Sequence, residues 1–352
     1  MNAEGIIREN IRSLVAYTSA REEFSGQDVT LLDANENPYD TGYNRYPDPF
    51  QRELKRAVAR VKRVDAARLV LGNGSDELID MLVRVTCEPG RDNMIVFSPS
   101  YAMYEVCGHV NGVETRSLDL DANFEPRWDA LPGAIDGHTR LVFLCSPNNP
   151  TGNRWPLERV RELAGRFDGW IVVDEAYMDF ATGGEPSGDP LSAVSLLEEY
   201  PRVVVLQTLS KAWGMAGLRV GICIADPALV TYLNRVKPPY NINSLTQRAA
   251  IEALADEETF RRRVREIVRE RERLYRAFAR VPFFEAVYPS EANFLLTRCA
   301  AYRELYDYLV ANGVIVRVRH VPPFLEDGLR FTVGTPGEND RLIQLLEQWT
   351  RP

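Results

Sequence analysis

The chain has 352 residues, of which 45% are hydrophobic and 26% charged, as in an ordinary soluble globular protein large enough for two domains. Its formal net charge of −8 argues against nucleic acid as a partner, and no run approaches the ~18 uninterrupted apolar residues of a membrane span. The five cysteines and three histidines are scattered, and the first residues lack the apolar core of a signal peptide. These features favour a cytoplasmic protein without disulfides or a metal site.

Short, continuously apolar runs predict buried strands at residues 94–97, 141–144, 171–173 and 203–206. Because the runs lack the alternation of a half-exposed strand, we expect helices to cover both faces of their sheet. Helical periodicity at residues 76–85 and 157–167 would supply such helices. The pattern predicts a doubly wound α/β domain with a mostly parallel sheet, in which ligands bind at the carboxyl ends of the strands.

The pattern changes after about residue 247. Residues 256–281 predict a long charged helix with one apolar face, and its glutamates, interleaved with arginines, favour a solvated surface over a nucleic-acid stripe. Further elements are predicted as a strand at 292–296, a helix at 302–312 and strands at 314–317 and 329–333. We therefore expect a large domain over residues 30–245 and a small α+β domain built from residues 246–352 and 1–29.

One lysine is distinguished by its setting. The 42 basic residues comprise thirty-eight arginines and four lysines, and Lys211 follows the strand at 203–206. Only an amine can form a Schiff base with an aldehyde, so arginine could not replace lysine in that chemistry. Thr208, Ser210 and Arg219 lie close by in sequence and could hold a phosphate. The alternative is a surface lysine in a loop.

A glycine turn precedes the helix predicted at residues 76–85. Gly72 and Gly74 allow close approach of the backbone, and Ser75 or Asp76 can cap the helix. Free amides at a helix N-terminus can bind phosphate, although many such turns bind none.

Polar side chains also follow two other predicted strands. Asn149 lies in a loop between two prolines that can present its amide to a ligand, or that is simply a turn. Asp174 ends the strand at 171–173, and Tyr177 follows it. A carboxylate in this place suits a protonated pyridine nitrogen. It could instead cap a helix; a nucleotide-site metal ligand is disfavoured because no Gly-x-x-x-x-Gly-Lys-Ser/Thr motif is present.

The order of these motifs resembles that of the fold type I pyridoxal-phosphate aminotransferases. The matching segments are Gly-Ser-Asp at 74–76, Asn-Pro-Thr-Gly at 149–152, Asp-x-x-Tyr at 174–177 and Ser-Lys at 210–211, with Arg219 eight residues after the lysine. Finer motifs at 32–38, 43–49, 98–104 and 329–335 resemble the histidinol-phosphate aminotransferase family. The resemblance covers essentially the whole chain. It implies an aspartate aminotransferase-like α/β fold, with helices on both faces of a mostly parallel central sheet, a smaller α+β domain, and pyridoxal 5'-phosphate as cofactor.

The resemblance also implies roles for individual residues. Lys211 would be the covalent partner of the cofactor and the proton carrier, Asp174 would pair with the ring nitrogen, and Tyr101 would stack on the ring. Asn149 and Tyr177 would bond the phenolic oxygen of the ring. The remaining cofactor contacts implied are Gly74, Ser75, Asp76, Thr208, Ser210 and Arg219, together with Tyr46 from a neighbouring subunit, which makes the active form a homodimer.

The substrate contacts implied are four. Arg330 would bind the carboxylate of glutamate or 2-oxoglutarate, although an arginine in an apolar strand could also form a buried structural ion pair. Arg317 and Tyr17 would hold the phosphate end of the substrate. Asn35 would line the mouth of the site or only shape its turn.

The activity implied is ping-pong transamination between L-histidinol phosphate and 2-oxoglutarate in histidine biosynthesis, giving imidazole acetol phosphate and L-glutamate. Two alternatives on the same fold stay open at this point. One is an aminotransferase for aromatic amino acids, and the other is a phosphothreonine decarboxylase, a lyase that needs no 2-oxoglutarate.

Overall fold

The computed structural model describes residues 3–15, 30–185, 190–322 and 325–350. The strands are β1 (Leu69–Asn73), β2 (Asn93–Ser98), β3 (Glu114–Asp119), β4 (Thr139–Cys145), β5 (Trp170–Asp174), β6 (Val203–Thr208), β7 (Val220–Ile224), β8 (Ala286–Val287), β9 (Phe294–Arg298), β10 (Arg317–Val321) and β11 (Leu325–Thr332). The α-helices are α1 (Glu9–Arg12), α2 (Arg52–Lys62), α3 (Ser75–Thr86), α4 (Met103–Val110), α5 (Leu131–Ala134), α6 (Leu157–Ala164), α7 (Met178–Ala181), α8 (Pro227–Val236), α9 (Ser244–Leu254), α10 (Glu257–Phe278), α11 (Tyr302–Ala311) and α12 (Pro336–Gln348). Within the described ranges, no helix combines the length and apolar character needed to cross a membrane.

A seven-stranded sheet with the order β1-β7-β6-β5-β4-β2-β3 forms the centre of the molecule. Its neighbours pair in parallel, except that β7 is antiparallel to both β1 and β6. Strands β5 and β6 are buried along their whole length. The predicted α/β class and mostly parallel sheet are confirmed.

Alternation along the strands divides the core into two layers. In β1, Leu69 and Leu71 face the layer of α2, α6 and α9, whereas Val70 faces the layer of α3, α4 and α8. Each apolar strand side chain is therefore buried on one face or the other. Removing its apolar surface from water stabilises the fold by roughly 25 cal/mol per Å². This two-sided burial explains why the strand sequences are continuously apolar rather than alternating.

A smaller antiparallel sheet has the order β10-β11-β9-β8. It packs against α11, α12 and the second half of α10. The long helix α10 links the two cores, because Phe260 and Val264 lie in the core of the large sheet while Leu274 and Phe278 lie in that of the small one. Helix α12 starts with a capping box, in which Thr335 and Glu338 satisfy each other's backbone amides.

The predicted strand at 314–317 differs from the structure. Pairing begins only at Arg317, which lies opposite Arg330 on β11. Ile315, which the prediction placed within a strand, is 73% exposed. An apolar run predicts burial only where a partner strand covers it, and β11 meets β10 only from Arg317 onward.

The N-terminal segment also packs differently from the expectation. Ile7 and Ile11 lie in the core layer of α3 and α8, and the amide of Arg8 donates to the carbonyl oxygen of Val85 at 3.0 Å. Residues 3–12 thus pack on the large sheet's helices rather than with the small sheet. Most of helix α9 was predicted to belong to the small domain, yet it packs on helix α2, which belongs to the large one. The division of the chain at residues 30 and 245 stays a prediction.

Candidate active site

The sheet topology brings the predicted motifs to one edge. Asp174 is the last residue of β5, and the strands β1, β4 and β6 are followed by Asp76, Asn149 and Lys211. Parallel strands end at the same edge of a sheet. Because β7 runs in the opposite direction, its first residue and the preceding Arg219 lie at that edge too. Together these segments enclose a cavity of about 420 Å³. The predicted residues that line it are Ser75, Asp76, Tyr101, Asn149, Asp174, Tyr177, Thr208, Ser210, Lys211, Arg219, Arg317 and Arg330.

Lys211 presents its amine to this cavity. Its Nζ lies 5.5 Å from the centre of the Tyr177 ring, and within the described residues no hydrogen bond or ion pair engages it. Partial burial lowers the pKa of Lys211, and the positive charge of Arg330 lowers it further, while Asp174 acts in the opposite direction. A lowered pKa increases the fraction of neutral amine, which is the nucleophilic form.

Asp174 is a buried carboxylate held by neutral donors. The hydroxyl of Tyr104 donates to Oδ2 at 2.7 Å, and the amide of Ala176 donates to Oδ1 at 3.1 Å. In the described part of the chain, no cationic side chain forms an ion pair with it. Burial raises the pKa of Asp174 despite these hydrogen bonds. A cation supplied by a ligand would therefore complete the charge balance here.

Sequence reasoning missed Tyr104, although a signal for it was available. Tyr104 lies three residues after Tyr101, and the two rings meet edge to face with their centres 5.6 Å apart. The hydroxyl of Tyr101 donates to Oδ1 of Asp76 at 2.8 Å. The pair of tyrosines at helical spacing thus connects two acidic residues of the site.

Arg219 marks one end of the cavity. Its Nη1 donates to the hydroxyl of Ser210 at 3.3 Å, and its Nη2 lies 3.6 Å from Oδ2 of Asp76. Gly74 has a φ of +85°, and a Cβ there would lie 2.4 Å from Nη2 of Arg219. The glycine therefore leaves room for the guanidinium beside the N-terminus of α3, where free amides favour an anion. The hydroxyl of Thr208 donates to the carbonyl oxygen of Val220 at 3.0 Å, which shapes the loop.

Arginines mark the other end. Arg317 on β10 lies directly opposite Arg330 on β11. Oδ1 of Asn149 accepts hydrogen bonds from Arg330 and, at 3.4 Å, from Arg319. The amide oxygen of Asn149 is thus used by arginines, which leaves its Nδ2 as the donor for a ligand. Arg319 also lines the cavity and was missed, although it shares a strand face with Arg317 two residues earlier.

Tyr46 and Asn35, both predicted to act at the site, do not line the cavity of Lys211. Tyr46 is 52% exposed and stacks on Tyr240 with ring centres 4.6 Å apart. It lines a separate cavity together with Asn35, whose φ of +53° places it in a left-handed turn. Tyr17 lies outside the described residues. The predicted contact of Tyr46 with a cofactor is therefore not made within the Lys211 cavity of its own chain.

The residues present fit pyridoxal 5'-phosphate. Asp174 is a buried carboxylate without a cationic partner in the described ranges, and Lys211 offers a free amine in the same cavity. Arg219 can bind a phosphate at the glycine turn. Gly74 keeps the space for its guanidinium, since a side chain there would collide with it. The cavity thus has groups for the aldehyde, the ring nitrogen and the phosphate of this cofactor.

The fold and site define a class of enzyme, the transaminases. The chain belongs to the family described as Aminotransferase class I and II, whose model matches residues 27–346, and within it to the histidinol-phosphate aminotransferases. The relative of that name from Cytophaga hutchinsonii is 45% identical over 98% of this chain and 99% of its own length. The relative from Parabacteroides distasonis is 46% identical over 97% of both chains. The family predicted from the motifs is confirmed.

Solved structures agree with this assignment. The histidinol-phosphate aminotransferase from Clostridium acetobutylicum matches with a TM-score of 0.78 and 26% identity, over 87% of this chain and 90% of that chain. The enzyme from Sinorhizobium meliloti, solved in complex with pyridoxal-5'-phosphate, matches with a TM-score of 0.77 and 28% identity, over 86% and 83%. The predicted fold type is therefore confirmed.

Proposed function

We propose that this chain uses pyridoxal 5'-phosphate to transfer the amino group of L-histidinol phosphate to 2-oxoglutarate, giving imidazole acetol phosphate and L-glutamate. The observation that carries the proposal is a single cavity in which a lysine amine and a buried carboxylate lie between arginines at opposite ends. The five cysteines are buried and unbridged, which supports a cytoplasmic setting for this step of histidine biosynthesis.

The cofactor, when bound, would supply an aldehyde for amine exchange and a protonated ring that withdraws electrons from the reacting carbon. Asp174 would stabilise the proton on the ring nitrogen, since its carboxylate lacks another cation in the described residues. Tyr177 and Nδ2 of Asn149 would donate to the ring oxygen. The phosphate would be held around the turn at Gly74 by the backbone amides of Ser75 and Asp76 and by Thr208, Ser210 and Arg219. Tyr101 would lie beside the ring.

Lys211 would also move the proton of the reaction. Once its amine is released, Nζ would take the proton from the α carbon of the amino donor and deliver it to the former aldehyde carbon of the cofactor, because the lowered pKa of Lys211 leaves a larger fraction of the amine neutral. Arginine could not do this, since its guanidinium stays protonated.

The arginines Arg330 and Arg317 would hold the anionic end of each substrate. Guanidinium groups bind both phosphate and carboxylate in a forked geometry, which suits a ping-pong enzyme whose two substrates enter one site. Tyr17 is proposed to assist at the phosphate end, and Asn35 to line the mouth of the site.

We further propose that the active form is a homodimer in which Tyr46 of each chain reaches the cofactor phosphate of the other. Its distance from the cavity of its own chain supports this arrangement. So do the exposed aromatic rings of Tyr39 and Tyr43, which are 79% and 69% exposed, because large exposed apolar groups commonly mark interfaces.

The proposal is tested by comparing kcat/KM for three amino donors with 2-oxoglutarate as acceptor. L-histidinol phosphate should exceed L-phenylalanine by at least about 100-fold, since loss of a phosphate leaves charged partners unpaired. O-phospho-L-threonine should release no carbon dioxide. A preference for L-phenylalanine would reassign the chain to aromatic amino acids, and carbon dioxide release without a keto acid would reassign it to the decarboxylases.

A further inference from the structure

A third arginine, Arg319, lies at the substrate end of the cavity. It is two residues beyond Arg317 on β10, and alternate residues of a strand point to the same face. Its guanidinium lines the same cavity as those of Arg317 and Arg330. The pairing of β10 with β11 becomes irregular between Arg319 and Val321. Such irregularities redirect side chains near functional sites.

The three guanidiniums lack countercharges in the protein. Across the ranges that the structure describes, none of Arg317, Arg319 and Arg330 forms a salt bridge. The Nε atoms of Arg319 and Arg330 are buried without a hydrogen-bond partner. Arg317 faces Arg330 directly across the strand pair, and like charges in this position destabilise a sheet. An arrangement that costs stability in the free protein indicates a ligand that compensates it.

Asn149 satisfies only part of this cluster. Its single amide oxygen accepts from both Arg330 and Arg319, and the contact with Arg319 is the long one at 3.4 Å. A guanidinium has five N–H donors, so Arg319 keeps donors for a ligand. Burial and the neighbouring arginines lower the pKa of Arg319 to about 10, which leaves it charged at neutral pH.

We propose that Arg319 is a specificity-determining residue that makes this end of the site prefer a dianionic phosphate monoester over a carboxylate. The inference rests on the proposed function and names the group that sets its substrate class. The energy between a fixed charge and an anion scales with the charge of the anion. Arg330 and Arg317 suffice for a carboxylate, whereas the third guanidinium acts mainly on a group that concentrates two negative charges.

The test uses cofactor-loaded enzyme and two single-turnover reactions, one with L-histidinol phosphate and one with L-glutamate. Arg319→Gln should lower the second-order rate constant about 100-fold for L-histidinol phosphate and about 10-fold or less for L-glutamate. Arg319→Lys, which keeps the charge, should recover most of the loss. Arg303→Gln is the matched control, since Arg303 is exposed on α11 outside the cavity, and it should change neither reaction.

Inhibition of the L-glutamate reaction by simple anions tests the same preference without L-histidinol phosphate. Arg319→Gln should raise the inhibition constant of inorganic phosphate about 10-fold and change that of acetate less than about twofold. The thermal unfolding temperature and cofactor absorbance of each variant show whether it is folded and loaded.

Equal losses for the two donors, an Arg319→Lys variant as impaired as Arg319→Gln, or unchanged inhibition by phosphate would each overturn the role of Arg319. Failure of the proposed function looks different, because the wild-type enzyme itself would then react with L-glutamate but not with L-histidinol phosphate. In that case the phosphate and acetate measurements still decide the inference.

Discussion

The chemistry of Lys211 is set by the charges around it. Partial burial and the positive charge of Arg330 both lower the pKa of its amine, while Asp174 limits the effect. The other three lysines lie elsewhere: Lys55, Lys62 and Lys237 are buried away from this cavity. A single lysine therefore meets the requirements of covalent attachment and proton transfer.

Replacing Lys211 with arginine should lower kcat at least about 1,000-fold, because the guanidinium can neither attach to the aldehyde nor accept a proton. Steady-state kinetics, and mass spectrometry after borohydride reduction, would measure the rate and the covalent link. Lys211→Ala serves as the comparison: added methylamine should restore part of its rate but none of that of the arginine variant. Near-normal turnover of Lys211→Arg would disprove the assignment.

Glu175, beside Asp174, has a structural role. The amide of Ala193 donates to its Oε1 at 2.6 Å, and Ser192 and Gln207 donate to Oε2 at 2.7 and 2.9 Å. The carboxyl thus ties the end of β5 to the following loop and to β6. Burial raises the pKa of Glu175 from 4.5 to about 7.

A raised folded-state pKa has a defined effect on stability. The folded protein binds more protons than the unfolded chain between pH 4.5 and about 7, so the contribution of Glu175 is largest below pH 4.5 and is lost as pH rises to about 7. Urea unfolding at pH 5 and pH 7.5 should show the wild type losing roughly 2 kcal/mol more than Glu175→Gln over this interval. Equal losses in both proteins would show that Glu175 titrates normally.

At the scale of the elements, the site depends on where strands end. The helix start after β1 and the start of antiparallel β7 meet so closely that a Cβ at Gly221 would lie 2.4 Å from the carbonyl carbon of Gly74. Arg219 sits immediately before β7, with its guanidinium against Gly74. The phosphate end of the site is therefore built by close backbone packing rather than by one loop.

Gly74→Ala should weaken binding of pyridoxal 5'-phosphate at least about 10-fold, since its methyl group would displace the guanidinium of Arg219. Gly90→Ala is a matched control, with a φ of +70° but open space around its Cβ. Both variants should lose about 1 kcal/mol of stability from the left-handed backbone. Cofactor titration followed by fluorescence separates the two effects, and equal affinities for the cofactor would contradict the role of Gly74.

The sequence predicted the individual helices and strands better than it predicted which of them pack against each other. The runs that became β2, β4, β5 and β6 were recognisable because burial on both faces makes them continuously apolar. Strand β3 was missed, since as an edge strand it reads Glu-Thr-Arg-Ser-Leu-Asp with only partial burial. The packing of Ile7 and Ile11 was also not predictable, because apolar spacing indicates that a face is buried but not which sheet buries it.

The same limit applies to the site. Lys211, Asp174 and Arg219 were predicted because each follows or precedes a strand in a recognisable motif, and the cavity unites them. Arg319 and Tyr104 depend on strand pairing and on a tertiary hydrogen bond, which lie outside the local pattern. The distances between side chains of different motifs are set by the three-dimensional fold, so a local sequence pattern cannot predict them.

For the molecule as a whole, the proposed role of Tyr46 requires two chains. Tyr46 lines a cavity apart from Lys211, so its proposed contact with a cofactor would cross between subunits. In a two-fold symmetric dimer, Tyr46 of each chain would contribute to the site of the other.

Mixed dimers test this arrangement. Lys211→Arg and Tyr46→Ala each damage every site in a homodimer, but a mixed dimer would contain one intact site if Tyr46 acts across the interface. Purified mixed dimers should therefore have about half of wild-type activity, because one of their two sites is intact. Differently tagged chains, co-expressed and purified as mixed dimers, allow the measurement. Activity no higher than that of the two parents would place Tyr46 in its own site or outside catalysis.

The most direct test of the central claim is an absorbance spectrum of the purified, cofactor-loaded protein before and after L-histidinol phosphate is added without a keto acid. We expect the visible band of the lysine-bound cofactor to disappear and to return on addition of 2-oxoglutarate, and we expect Lys211→Arg to show neither change. A visible band that persists in excess L-histidinol phosphate would contradict the proposed amino donor.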